Sequence, residues 1–260
     1  MVQEAEMTMS ETAGKMTPVA KWALIIGPLL VVVFNFLLPT NGVSPIDPED
    51  SAKYIATLGA DADMAQIYTV VILLGIILYT RGIIGLWRAA PAGVARTRLG
   101  VGMLGSVAAL SLWGVVLGMG LAEASVAGDV VDATAAAGAG VAGMAEKAAS
   151  AGIIATTLHA AVYGMFQTST YVAYISLIPI GGGLALSGIV RKEFGWLIMA
   201  IGVITVVLTS IFPVKTEEGI MLFGIMAVVW GLTFLVVGLQ IMRQDMQDSS
   251  SSTASAESSE

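Results

Sequence analysis

The chain contains no cysteine. That removes disulfide frameworks and thiolate metal sites outright. Histidine is nearly as scarce, with His159 alone among 260 residues, so multi-histidine metal centres and bis-histidine haem ligation within one chain fall away too. Charge is the third shortage. Asp, Glu, Lys and Arg make up 12% of the residues, about half the share of an ordinary soluble domain. No basic patch exists for nucleic acid. The patterns of soluble catalysts are missing as well: there is no GxxxxGK[ST], HExxH, GxSxG or HxE sequence. The chain reads as no enzyme, with no metal site and no cofactor implied.

What is present is apolar. Hydrophobic residues account for 56% of the chain and the mean hydropathy is +0.85, so most of it must face lipid rather than water. A span needs roughly 20 mainly apolar residues to cross ~30 Å of hydrocarbon. Segments 22–38, 67–87, 99–122, 194–212 and 220–242 qualify. The first follows a polar leader with no cleavage pattern and reads as a permanent span. A sixth lies within 148–190. The expected fold is all-α, a polytopic six-span helix bundle, with seven spans as the alternative. Residues 1–20 read as a disordered leader and 244–260 as a disordered Ser-rich tail.

Positive charge sets the expected orientation. With the N-terminus inside, Lys15, Lys21, Arg88, Arg96, Arg98, Arg191, Lys192 and Arg243 fall on the cytoplasmic side, and Lys53, Lys147 and Lys215 outside. Both termini are then cytoplasmic in a prokaryotic plasma membrane. Arg81 sits near a span end and reads as snorkelling to the inner headgroups. The acids, Glu123 among them, gather outside as a solvated surface. IDPEDSAKYIATLG predicts a short outer helix with Asp47 as N-cap, Pro48 at N1 and Gly59 as its stop. The Ala/Gly-rich stretch 123–147 reads as a mobile loop.

Residues 148–190 carry no charge over 43 positions, about 64 Å as one helix and twice the hydrocarbon thickness. Within them Thr156, His159, Tyr163, Gln167, Thr170 and Tyr174 recur every three or four residues, which keeps all six on one helical face. A turn at QTST would break that register. The spacing therefore predicts one long fourth helix, kinked at Pro179 and the Gly181–Gly183 run. The stripe either hydrogen-bonds neighbouring helices or lines a ligand cavity. His159 has Tyr163 as its nearest candidate partner, since no membrane-embedded carboxylate is evident. Gly114 and Gly118, and the seven-residue period of Gly224, Gly231 and Gly238, read as helix-packing faces within the chain or between chains. No inverted repeat of the transporter kind is visible between the halves.

The order of parts resembles a broad set of uncharacterised bacterial six-helix integral membrane proteins, known only as a domain of unknown function. The likeness lies in DPEDSAKYIATLGADADMAQIY after a short first span, in the basic loop of IIGLWRAAPAGVARTR, and in LALSGIVRKEFGWLIMAIGVI. It spans about residues 21–243 and implies a fold but no function or site. Two readings follow. One is a non-catalytic accessory or scaffold subunit of a membrane assembly, or a homo-oligomer, with the lipid bilayer and other membrane chains as partners. The other is a small-molecule binding or transport protein using a polar-lined cavity along helix four.

Overall fold

The computed structural model describes residues 14–41 and 45–257. Seven helices form among them: α1 (Pro18–Leu37), α2 (Ser51–Ala60), α3 (Ala62–Ala89), α4 (Val94–Gly138), α5 (Met144–Ser187), α6 (Lys192–Ile211) and α7 (Glu217–Glu257). All except α2 are long and apolar enough to cross a membrane, so the chain is a polytopic bundle with six candidate spans. The stretch 148–190 is not a pair of spans. α5 runs unbroken through QTST and on through Pro179 to Ser187, and the seven-span alternative falls.

Local chemistry explains the helix starts. Thr17 caps α1, its hydroxyl accepting from the Ala20 amide at 3.4 Å, and Pro18 opens the helix where its missing N–H costs nothing. Arg81 reaches the same cap, donating to Thr17 Oγ1 at 3.4 Å. The cap of α2 is Asp50, which accepts from the Lys53 amide at 3.1 Å. This corrects the expected N-cap: Asp47 instead accepts from the Glu49 amide at 2.9 Å and closes a turn before the helix. Nor does Gly59 stop α2. It lies inside the helix, pressed against the backbone of Ala127 on α4.

The stretch 123–147 is a second correction. It is helical except for a turn around 139–143, where Gly140 and Gly143 have φ of 80° and 77°, a conformation that costs glycine almost nothing. Alanine is the best helix former, and here it also lets two helices close on each other: Ala124, Ala127, Ala133 and Ala155 are all buried. α4 and α5 therefore form one antiparallel hairpin. The 45 residues of α4 extend about 67 Å at 1.5 Å per residue. The stretch read as a disordered tail is helical as far as Glu257, because extending an existing helix avoids a new nucleation cost.

The six long helices form a ring in chain order. α1 packs on α3, α3 on α4, α4 on α5, α5 on α6, α6 on α7, and α7 returns to α1. Side chains fill the centre: Phe166 meets Phe223 edge-on at 4.8 Å between centroids, and Tyr79 meets Trp230 at 4.9 Å and Phe234 at 5.1 Å. The α3–α4 and α5–α6 connections, with Arg88, Arg96, Arg191 and Lys192 near them, mark a basic end of the ring. At the opposite, acidic end the α4–α5 hairpin projects, and α2 lies against it.

Candidate functional site

Glu123 and His159 each stand eighteen residues from Val141, in the middle of the hairpin turn. Antiparallel pairing brings them level. His159 Nδ1 lies 2.8 Å from Glu123 Oε1, and its Nε2 lies 2.7 Å from the carbonyl oxygen of Pro48. Both side chains are buried, Glu123 at 1% exposure and His159 at 5%. Proton positions follow from the partners. A carbonyl can only accept, so Nε2 carries a hydrogen and donates it to Pro48. One proton is then shared between Nδ1 and Oε1, either as imidazolium with carboxylate or as neutral imidazole with carboxylic acid. The pair is neutral overall in both forms, which makes its burial tolerable.

Aromatic rings roof the pair. Tyr54 of α2 stacks at 4.4 Å from the imidazole and Tyr163 at 4.9 Å. The Thr40 hydroxyl donates to Tyr54 Oη at 3.1 Å, tying the end of α1 into the cluster. Burial, reinforced by the negative charge of Glu123, pushes the Tyr54 phenol up to about 12. Chain from before α2, from α2, from α4 and from α5 thus meets around one imidazole. With both ring nitrogens occupied, this constellation is suited to holding elements together rather than to proton transfer with a substrate.

Glu123 is the residue that sequence reasoning missed. It was placed on a solvated acidic surface, and Tyr163 was named as the partner of His159. In the fold the carboxylate is the partner and Tyr163 supplies a ring face. The signal was present in the turn-like GAGVAG, since a hairpin folded there aligns the only histidine with the first acid after a long apolar run.

The polar stripe divides among several places. Gln167 bridges to the α6–α7 connection, donating from Nε2 to the Thr209 carbonyl at 3.1 Å and accepting from the Val214 amide at 2.9 Å. Thr170 is buried and its hydroxyl has no partner among the described residues. Tyr174 lines a cavity of about 100 Å³ in the ring centre. Thr156 lines a separate, open groove of about 830 Å³ between α2 and the projecting hairpin. His159, Tyr163, Gln167 and Thr170 line neither. The stripe is one face of α5 but not one cavity.

The glycine faces divide too. Gly231 packs on Val32 and Gly238 on Ile25, sealing α7 to α1, whereas nothing stands close to Gly114, Gly118 or Gly224. The closest backbone approaches lie elsewhere, between Gly27 and Gly75, and between Gly181 and Gly195. Comparison with protein families, with characterised proteins and with solved structures finds no match for this chain.

Proposed function

We propose that this chain is a non-catalytic multi-pass membrane protein that serves as an accessory subunit, docking a basic amphipathic segment of another membrane chain on its projecting head. The observation that carries the reading is the groove between α2 and the hairpin. Its walls include Ile55, Val130, Val131, Ala149 and Ile153, and Ile153 is 70% exposed. Asp129, Asp132, Glu146 and Lys147 flank the hairpin tip, which argues that this part stands in water rather than in hydrocarbon. Apolar surface in water, rimmed by acids, suits a partner with an apolar face and positive flanks. A second copy fits less well, because few cations lie at this end of the chain. The engaged ring nitrogens of His159 support the non-catalytic part of the reading.

The same reading puts both termini in the cytoplasm and the head outside, on the strength of the cation bias. A reporter active only in the cytoplasm is expected to work when fused at Glu260 and to stay silent when inserted at Gly140; the reverse pattern rejects the orientation. For docking, a photo-crosslinking residue at Ile153 is expected to capture a discrete membrane protein through a Lys/Arg-rich segment. Asp129→Lys with Asp132→Lys is expected to abolish that adduct without lowering the melting temperature. An adduct with the chain itself would replace the accessory reading by a homo-oligomer. Adducts to lipid alone, or none, would remove both.

A further inference from the structure

Independently of the head, we infer that the ring centre is a binding site for an uncharged six-membered ring compound bearing a carbonyl oxygen, taken up from the bilayer. The cavity of about 100 Å³ lies among α1, α3, α4, α5 and α7, with Trp113 and Trp230 as flat walls and Ala109, Ala173 and Ala227 leaving the room. No ionised side chain lines it, so a charged ligand would lose its hydration without compensation.

The chemistry centres on Tyr79. This residue is more than nine-tenths buried, lines the cavity, and its hydroxyl lacks a hydrogen-bond partner. Ser106 and Trp230 border that hydroxyl, but neither meets it in bonding geometry. Its ring is held edge-on by Trp230 and Phe234 at 73° and 82°. An orphaned O–H inside hydrocarbon is costly. The neighbouring hydroxyls of Thr80 and Ser176 already donate to carbonyls of their own helices, Ile76 and Ala173. Tyr79 is therefore the donor left over, and a carbonyl oxygen is its natural complement.

The route points to the membrane. Asn35, Phe36 and Phe223 line both the cavity and a second groove of about 280 Å³ between α1 and α7. Gly224 on that groove has nothing near it, which keeps it open. Toward the basic end, fully buried Leu24, Phe234 and Val237 close the ring. The ring compound is either free in the bilayer or the head of a lipid whose chain lies in the α1–α7 groove.

The test uses the purified protein in lipid nanodiscs with Trp22, Trp87 and Trp196 changed to Phe, leaving the two cavity tryptophans as reporters. The probes are duroquinone, which has no tail, and decylubiquinone, which has one. Saturable quenching is expected, weakened about tenfold by Tyr79→Phe, as for one lost hydrogen bond, and abolished by Ala109→Phe. Tighter binding of the tailed probe, lost in Gly224→Leu, assigns the site to a lipid head. Equal binding of both probes, indifferent to Gly224→Leu, assigns it to a free ring. Absence of saturable quenching by either probe overturns the inference, and so does an affinity unchanged in Tyr79→Phe, which keeps the ring's shape and does not depend on the bulkier variant folding.

Discussion

A carboxylate held at 2.8 Å from an imidazole, with both groups out of water, is stable only while each keeps the other. Removing one partner of such a pair typically costs about 3–5 kcal/mol. Glu123→Ala is therefore expected to lower the melting temperature by on the order of 10 °C. Glu123→Leu combined with His159→Phe, which removes both polar groups, is expected to recover much of that loss. Additive losses in the double variant would show that the two side chains are not coupled. Tyr54 gives a second expectation at this scale. Its phenol holds its proton to about 12 in the fold, against about 10 in an unfolded chain. The folded form is thus favoured in full below pH 10, and this contribution is lost as pH rises through 12. A difference titration of phenolate absorbance, wild type against Tyr54→Phe, is expected to show one group ionising near pH 12. An extra group near pH 10 would mean that Tyr54 is solvated. Neither property was legible along the chain, because Glu123 and Tyr54 acquire them only from His159, 36 and 105 positions away.

Among the helices, small residues matter only where backbones meet. A Cβ on Gly75 would meet the Gly27 carbonyl at 2.8 Å, and one on Gly183 would meet the Leu99 amide at 2.9 Å, whereas one on Gly114 would meet nothing. Gly75→Leu and Gly183→Leu are expected to prevent folding or lower the melting temperature sharply, and Gly114→Leu to leave it unchanged. If Gly114→Leu melts early, another chain must cover that face. Gly182 faces only the mobile Arg98 side chain, so its tolerance is expected to exceed that of either neighbour. The lengths and number of the spans were legible because they rest on apolar composition, which every lipid-facing helix must carry. The α4–α5 hairpin was harder to read. Alanine suits a loop and a helix equally by hydropathy, and only the packing of Ala127 and Ala133 against neighbours settles it as helix.

For the molecule as a whole, a charge asymmetry was readable from the positions of Arg88, Arg96, Arg191 and Lys192, but the central cavity was not. A cavity depends on which helices face one another across the ring, and that is decided by closure. Closure has a further consequence for how the protein is made. Synthesis delivers α1 first and α7 last, yet these two are neighbours, joined where Gly231 and Gly238 meet Val32 and Ile25. Until the ribosome releases the final helix, the nascent protein is an open arc, with Tyr79 and Phe166 deprived of Trp230 and Phe223 and turned toward lipid. A premature stop after Thr216 is expected to yield a chain that is cleared by membrane proteases. Co-expression of 1–216 with 217–260 is expected to rescue it by completing the arc in trans. If the shortened chain accumulates and melts like the full protein, the last helix is an ornament on a bundle already finished. If only the pair survives, birth order leaves a window in which this protein is complete in every helix but one and is not yet folded.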